Sequence, residues 1–198
     1  MTKEQKNALL KIENYSQTIM HVRAVQDNII KVCDLLVKDK DFLELIGEMN
    51  GIWGIWKPVG QPQVEMIRQL LSRMLVHDMS KFSENEWPHF AEANSGDKLK
   101  SLTYGSDEYK SQLKEILGPA LDHHYSNNDH HPEHYEDWIR DATLPAIVEM
   151  LCDWEAATRR HKNGDIRKSV EINQERFGYD DKTKEMFNRF YDYILIYN

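Results

Sequence analysis

Cysteine is scarce in this chain of 198 residues, which contains only Cys33 and Cys152. Both lie in apolar helical patterns, so two buried free thiols are favoured over a disulfide. Long apolar runs are also missing, since none approaches the ~20 residues that cross a bilayer. The first residues, MTKEQKNALLKIENYSQ, lack the apolar core of a secretion signal. We therefore expect a cytoplasmic protein that does not associate with membranes.

Positive charge is in deficit, because 25 Lys and Arg residues face 33 Asp and Glu residues and give a formal net charge of −8. A protein that grips the backbone of a nucleic acid is normally basic, so no stable nucleic-acid binding is expected. A small phosphorylated substrate is still compatible with this charge, because a local metal ion or lysine outweighs distant charges. Hydrophobic residues make up 40% and charged residues 29%, which is typical of a globular chain.

Period-two alternation, internal repeats and a convincing linker are all missing, and helical periodicity dominates. Caps and apolar stripes predict helices from Ser16 to about Lys38, Val64 to His77, a Ser83/Glu86 capping box to Ala93, Ser106 to about His124, Thr143 through EMLCDWEAATRRH, and Asp181 to about Ile196. The sequence thus predicts an all-α fold, with residues 1–198 forming a single compact domain of six to eight helices. The aromatic segment 165–198 is expected to pack on this domain or to form a homodimer face.

Side chains that commonly bind metals recur on faces predicted to be apolar. His21 extends the apolar stripe of its helix, although for His21 taken alone a core histidine bonded to a carbonyl is the favoured explanation. His77 and Asp78 continue the buried face of the helix they are predicted to end, and Asp153 lies inside the apolar segment VEMLCDWEAA. A buried carboxylate is costly unless a cation or strong donors meet it. A divalent ion would remove this cost, whereas the alternative is that these side chains turn to water.

Histidine is concentrated in HHYSNNDHHPEHY, residues 123–135, which holds five of the nine histidines of the chain. Three explanations compete: a solvated polar turn, a pH-sensitive patch and a metal site. His124 lies near the predicted end of a helix, and His130 and His131 follow in a loop. Loop histidines held by a rigid scaffold are good ligands. The joint pattern of polar residues on apolar faces favours the metal site.

Taken in order, the pattern His21, His77-Asp78, His124, His130-His131 and Asp153 resembles the HD superfamily of metal-dependent phosphohydrolases. The phrase HDMSK is similar to the HD-x-x-K phrase of its two-metal branches. The phrases HDMSKFSENE, HHPEHY and EMLCDWEA look still more like a family of uncharacterised bacterial and phage proteins assigned to a domain of unknown function. That closer resemblance covers residues 16–160 or so, which would then form the metal-site core.

The resemblance implies one divalent ion held by His21, His77, Asp78 and Asp153. It also implies a second ion, held by His124, His130 and His131, with Asp78 as the bridge between the two ions. The N and O donors suit Mn²⁺, Fe²⁺, Co²⁺, Ni²⁺ or Zn²⁺. Such an ion lowers the pKa of a bound water from 15.7 to about 7, which supplies hydroxide for attack on phosphorus. Asp78, Lys81 and Glu84 are the implied catalytic residues. Lys81 would bind a phosphate oxygen; the alternative is an ordinary surface lysine. Glu84 or Glu86 would orient the attacking water, although a capping box is the better explanation for Glu86.

The expected function is that of a metal-dependent phosphohydrolase acting on a nucleotide or a related small phosphate ester. One alternative is a phosphodiesterase for a cyclic or linear oligonucleotide signal, which the additional histidines favour. A further alternative is a non-catalytic helical protein that uses a metal ion to staple a loop and serves as an interaction module.

Overall fold

A computed structural model of the chain describes residues 1–52, 57–95, 107–160 and 164–196. The helices are α1 (Lys3–Lys38), α2 (Lys40–Ile52), α3 (Pro62–Met74), α4 (Trp87–Ser95), α5 (Asp107–Asn127), α6 (Trp138–Asp141), α7 (Leu144–Thr158), α8 (Ile166–Phe177) and α9 (Asp181–Ile196). Two 3₁₀ turns cover Met79–Phe82 and Pro132–His134. No β-strand occurs in the four described ranges, so the all-α prediction is confirmed. No described helix has the length and apolar character that a bilayer span requires.

The chain divides into two compact units. The first unit comprises Met1–Val22 and Asp78–Asn128, and the second comprises Arg23–His77 and Asp129–Asn198. Helix α1 contributes residues to both units, and the chain passes from the second unit to the first between His77 and Asp78. The single domain over residues 1–198 stays a prediction.

Helix α1 begins at Lys3, so the prediction that Ser16 caps it is wrong. The cap is made further upstream, where the Gln5 N–H donates to Thr2 Oγ1 at 3.2 Å and the Thr2 N–H donates to Gln5 Oε1 at 2.9 Å. This reciprocal pair is a capping box, in which each of the two side chains accepts a hydrogen bond from the backbone N–H of the other residue. The charged N-terminal segment is therefore helical, and its apolar periodicity was too weak to show it.

In the first unit, aromatic contacts hold the N-terminal part of α1 against the chain that follows Asp78. The Tyr15 hydroxyl donates to the Phe82 carbonyl at 2.8 Å, and the two rings meet edge to face at 4.9 Å. Helix α4 packs on α5. These contacts hold the segment that carries His21 close to the 3₁₀ turn that follows Asp78.

The core of the second unit is built around α7, in which every residue from Leu144 to Ala156 is buried. The Tyr191 hydroxyl of α9 donates to the Leu151 carbonyl at 2.9 Å, and Trp154 stacks on Phe177 with ring centroids 6.1 Å apart. Helix α9 buries Phe187, Phe190 and Ile194 in the same core. The predicted bounds of α9, Asp181 to Ile196, are confirmed, and the C-terminal helices pack inside this unit.

Thr143 caps α7 as predicted, because its hydroxyl accepts from the Ala146 N–H at 3.4 Å, and Pro145 lies in the first turn. Substitution Thr143→Ala is expected to lower the free energy of unfolding by about 1 kcal/mol, since a backbone donor loses its partner. Thr143→Ser keeps the hydroxyl and serves as the control. Urea denaturation followed by circular dichroism measures both variants, and equal midpoints for the two would contradict the assignment.

Candidate metal centre

The His77-Asp78 dipeptide lies in a tight turn. Helix α3 ends at Met74, so the prediction that it reaches His77 is wrong. Leu75 and Val76, which continue its apolar pattern in sequence, are 69% and 64% exposed. The backbone then turns, and Asp78 has a positive φ of 57°. Every other non-glycine residue in the described ranges has a negative φ. Both His77 and Asp78 are buried as a result.

The left-handed conformation of Asp78 has a cost. A non-glycine residue in the left-handed region lowers the stability of the folded state by about 1–3 kcal/mol. Asp and Asn tolerate this region better than most residues, because their short polar side chains form local hydrogen bonds. Such strain persists only where the surroundings hold it in place, and it is concentrated at functional sites. The fold of the first unit therefore holds the Asp78 carboxylate in its buried position against this cost.

Two imidazoles face this carboxylate and form with it the first cluster, defined here as His21, Asp78 and His124. His21 Nε2 lies 3.5 Å from Asp78 Oδ2, and His124 Nε2 lies 3.3 Å from Asp78 Oδ1. Ordinary N–H···O bonds are shorter, with a mode near 2.9–3.0 Å. Two ligands held about 2.1 Å from one ion at tetrahedral or octahedral angles are about 3.0–3.4 Å apart. Each of the two imidazole–carboxylate spacings is therefore longer than an ordinary hydrogen bond and close to the separation of two ligands of one divalent ion.

The predicted catalytic side chains next to this cluster differ in their surroundings. The Lys81 ammonium is mostly buried and donates to Asp78 Oδ2. Glu84 is exposed, and its carboxylate accepts from Lys11 Nζ and from the Trp87 indole at 2.8 Å each. Lys81 therefore lies beside the first cluster, and the catalytic roles of Lys81 and Glu84 stay predictions.

Glu86 is fully buried, at 0% exposure, and its carboxylate binds two histidines. His124 Nδ1 lies 2.9 Å from Oε2, and His123 Nδ1 lies 2.6 Å from Oε1. Burial acts to raise the pKa of Glu86, but hydrogen bonds from His124, His123 and Ser80 outweigh it and leave the pKa below its ordinary value. Helix α4 begins after Glu86, at Trp87, so the preferred interpretation of Glu86 as a capping-box residue is wrong.

The second unit contains another group of buried ligand-type side chains, the second cluster, defined as His77, His130, Glu149 and Asp153. Ligand atoms of His77, His130 and Glu149 all lie within 4.8 Å of one another. Glu149 Oε1 is 2.7 Å from His77 Nδ1 and 3.4 Å from His130 Nδ1. The opposite nitrogen of His77, Nε2, is 3.9 Å from Asp153 Oδ1. Buried His, Asp and Glu side chains are thus close enough together to bind a metal ion.

Glu149 is anchored by a cation as well as by histidine. Arg73 donates through Nε to Glu149 Oε2 and through its other nitrogens to Asp129. Burial acts to raise the pKa of Glu149, but the His77 hydrogen bond and the charges of His130 and Arg73 hold it at about 2. The carboxylate is therefore ionised at neutral pH despite its burial, as a metal ligand must be.

The seven predicted ligands are distributed between the two units. His21, Asp78 and His124 lie in the first unit, whereas His77, His130 and Asp153 lie in the second. The His131 ring is half-buried and lies 4.3 Å from the His130 ring. The predicted grouping of all seven around one or two ions stays a prediction. Ser106, predicted to cap α5, lies outside the described residues.

Comparison with known proteins gives one match. The model of a family of unknown function (DUF5662) matches residues 11–195, which confirms the predicted resemblance to an uncharacterised family and extends it beyond residues 16–160. No curated protein and no solved structure shows significant similarity to the chain.

Proposed function

Since the chain belongs to this family of unknown function, we propose from its own residues that it is a metal-dependent phosphohydrolase of the HD type. Its substrate would be a nucleotide or a related small phosphate ester. The observation that carries the proposal is the environment of Asp78, a buried carboxylate in a strained turn with an imidazole nitrogen facing each oxygen at 3.3–3.5 Å. A divalent ion accounts for the burial, the strain and the spacing together.

The donor set identifies the class of ion. Both clusters consist of imidazole nitrogens and carboxylate oxygens, and neither cysteine is part of them. Structural zinc sites commonly recruit cysteine, whereas N and O donors suit Mn²⁺, Fe²⁺, Co²⁺ or Ni²⁺ as well as Zn²⁺. When bound, such an ion lowers the pKa of a coordinated water from 15.7 to about 7 and neutralises charge on phosphoryl oxygens.

The protein residues supply binding and orientation. His21, Asp78 and His124 would hold one ion, and His77, His130 and Glu149 would hold another. Lys81 is suited to a phosphate oxygen, because its ammonium is a compact charge already kept near Asp78. Before substrate arrives, its contact with Asp78 offsets the negative charge there. Arrival of a phosphate would give Lys81 a second anionic partner.

A purely structural role for the second cluster is the other candidate. His77, His130 and Glu149 are each at most 3% exposed, which suits a closed ion that stabilises the fold. In that case chelation would lower the melting temperature and no phosphate ester would be hydrolysed. Ligands that bind only the folded state stabilise it in proportion to RT ln(1 + [L]/Kd).

Elemental analysis combined with phosphate release tests the proposed function. We expect stoichiometric transition metal in gently purified protein or after Mn²⁺ addition, and metal-dependent release of phosphate from a panel of nucleoside mono- and triphosphates. p-Nitrophenyl phosphate and bis-p-nitrophenyl phosphate separate monoesterase from phosphodiesterase activity. Protein that binds no transition metal under either condition would remove the mechanism, and metal binding without turnover of any ester would favour the structural role.

A further inference from the structure

Glu86 presents a problem that helix capping does not explain. A fully buried carboxylate is costly unless strong donors meet it, and the donors here are the side chains of two adjacent histidines on α5. One of them, His123, is partly exposed, at 30% of its side chain, and is not part of either cluster. The other, His124, belongs to the first cluster.

The two nitrogens of His124 have different partners. Nδ1 lies 2.9 Å from Glu86 Oε2 and 3.2 Å from Ser80 Oγ, whereas Nε2 lies 3.3 Å from Asp78 Oδ1. The Asn128 amide nitrogen is 3.1 Å from Nδ1, but it donates to Ser80 Oγ and to the His124 carbonyl, at 2.7 Å each. An ionised carboxylate can only accept hydrogen bonds, so Glu86 favours the tautomer with the proton on Nδ1. That tautomer has its lone pair on Nε2, the nitrogen on the side of Asp78.

We propose that Glu86 is a positioning residue, which fixes the tautomer and the ring orientation of His124 so that Nε2 is available to an ion in the first cluster. The inference rests on the proposed metal binding of that cluster. Carboxylates that accept from the free N–H of a metal-bound histidine orient the ring and raise its basicity, and their loss weakens metal binding by about 10–100-fold.

His123 has a separate part in this arrangement. Because His123 binds Oε1 while His124 binds Oε2, loss of His123 leaves the Oε2 contact with His124 in place. Only the Oε2 contact acts on the proposed ligand. His123→Ala therefore removes a contact of the same carboxylate without touching the nitrogen that would face the ion, and it is the matched control.

The test compares Glu86→Ala, Glu86→Gln and His123→Ala in the full chain. Mn²⁺ dissociation constants are measured by electron paramagnetic resonance, and the metal-free proteins are compared by circular dichroism. We expect Glu86→Ala to weaken Mn²⁺ binding about 10–100-fold. Glu86→Gln should recover much of this loss, because its amide oxygen can still accept from Nδ1, and His123→Ala should bind close to wild type.

Three results would overturn the inference: wild-type affinity in Glu86→Ala, no recovery in Glu86→Gln, or an equal loss in His123→Ala. If Glu86→Ala does not fold, Glu86→Gln and His123→Ala decide: a loss of Mn²⁺ affinity in Glu86→Gln that exceeds the loss in His123→Ala supports the role, and a loss no greater than that in His123→Ala overturns it. Wild-type protein that holds no transition metal as purified and binds no Mn²⁺ contradicts the proposed function itself. Wild type that binds and hydrolyses, with unaffected Glu86 variants, contradicts only the role of Glu86.

Discussion

Substitution Asp78→Asn is expected to remove the ion from the first cluster and to lower phosphate release by about 100–1000-fold, with helix content unchanged. The size follows from the several kcal/mol that a metal ion contributes to stabilising charge in the transition state, at about 1.4 kcal/mol for each tenfold change in rate. Asn has the shape of Asp and tolerates a φ of 57°, whereas Ala would add backbone strain. The substitution therefore isolates the loss of the negative charge that two imidazoles face.

The measurement combines elemental analysis, phosphate release and circular dichroism on the same preparation. Asp34→Asn is the matched control, because it removes the same charge from a carboxylate that pairs with the exposed Lys38 on α1. The control should keep its metal and its activity. Full metal content in Asp78→Asn would show that the assignment of the first cluster is wrong.

The turn at His77-Asp78 shows where sequence periodicity stops being informative. The residues Leu75 and Val76 continue an apolar pattern, so the sequence predicts that the helix continues through them. In the structure both are exposed, and the chain leaves α3 after Met74. Burial of His77 and Asp78 was predicted correctly, but it arises from a left-handed residue in a turn, and no local pattern in the sequence identifies Asp78 as that residue.

Glu86 was misassigned because one spacing fits two roles. Ser83 and Glu86 have the separation of a capping box, which is a local signal. The actual partners of Glu86 are His123 and His124, 37 and 38 residues further along the chain. A single sequence carries no direct information on such a pairing, because it depends on how α4 and α5 pack. The Thr143 cap could be predicted, because its partner, the Ala146 N–H, lies only three residues further along the chain.

Glu149 was detectable in principle. It lies four residues before Asp153, and two acidic side chains at that spacing repel each other on a helix. In fact α7 is buried on all sides from Leu144 to Ala156. Apart from three acidic residues, the segment LPAIVEMLCDWEAA carries apolar side chains on every side of the helix, which indicates a buried helix rather than an amphipathic one. Acidic residues inside such a helix need partners, and for Glu149 these are His77 and Arg73.

Removal of the cation next to Glu149 has the largest expected effect on stability. Arg73→Ala is expected to lower the free energy of unfolding by about 3–5 kcal/mol, because it leaves a buried carboxylate without its charged partner. Arg68→Ala is the matched control: Arg68 lies on the same helix and pairs with Glu65, but it is exposed. Its loss should change the unfolding midpoint by far less, because water and salt already screen that pair.

The same variant also tests the second cluster, because Arg73 and a bound divalent ion would both offset the charge of Glu149. If an ion binds His77, His130 and Glu149, saturating Mn²⁺ should recover part of the stability that Arg73→Ala loses in chelator. Arg68→Ala should show no such recovery beyond that of wild type. Urea denaturation of each protein with chelator and with Mn²⁺ measures the difference. Equal losses for Arg73→Ala under both conditions would mean that Glu149 pairs with Arg73 and the histidines and binds no ion.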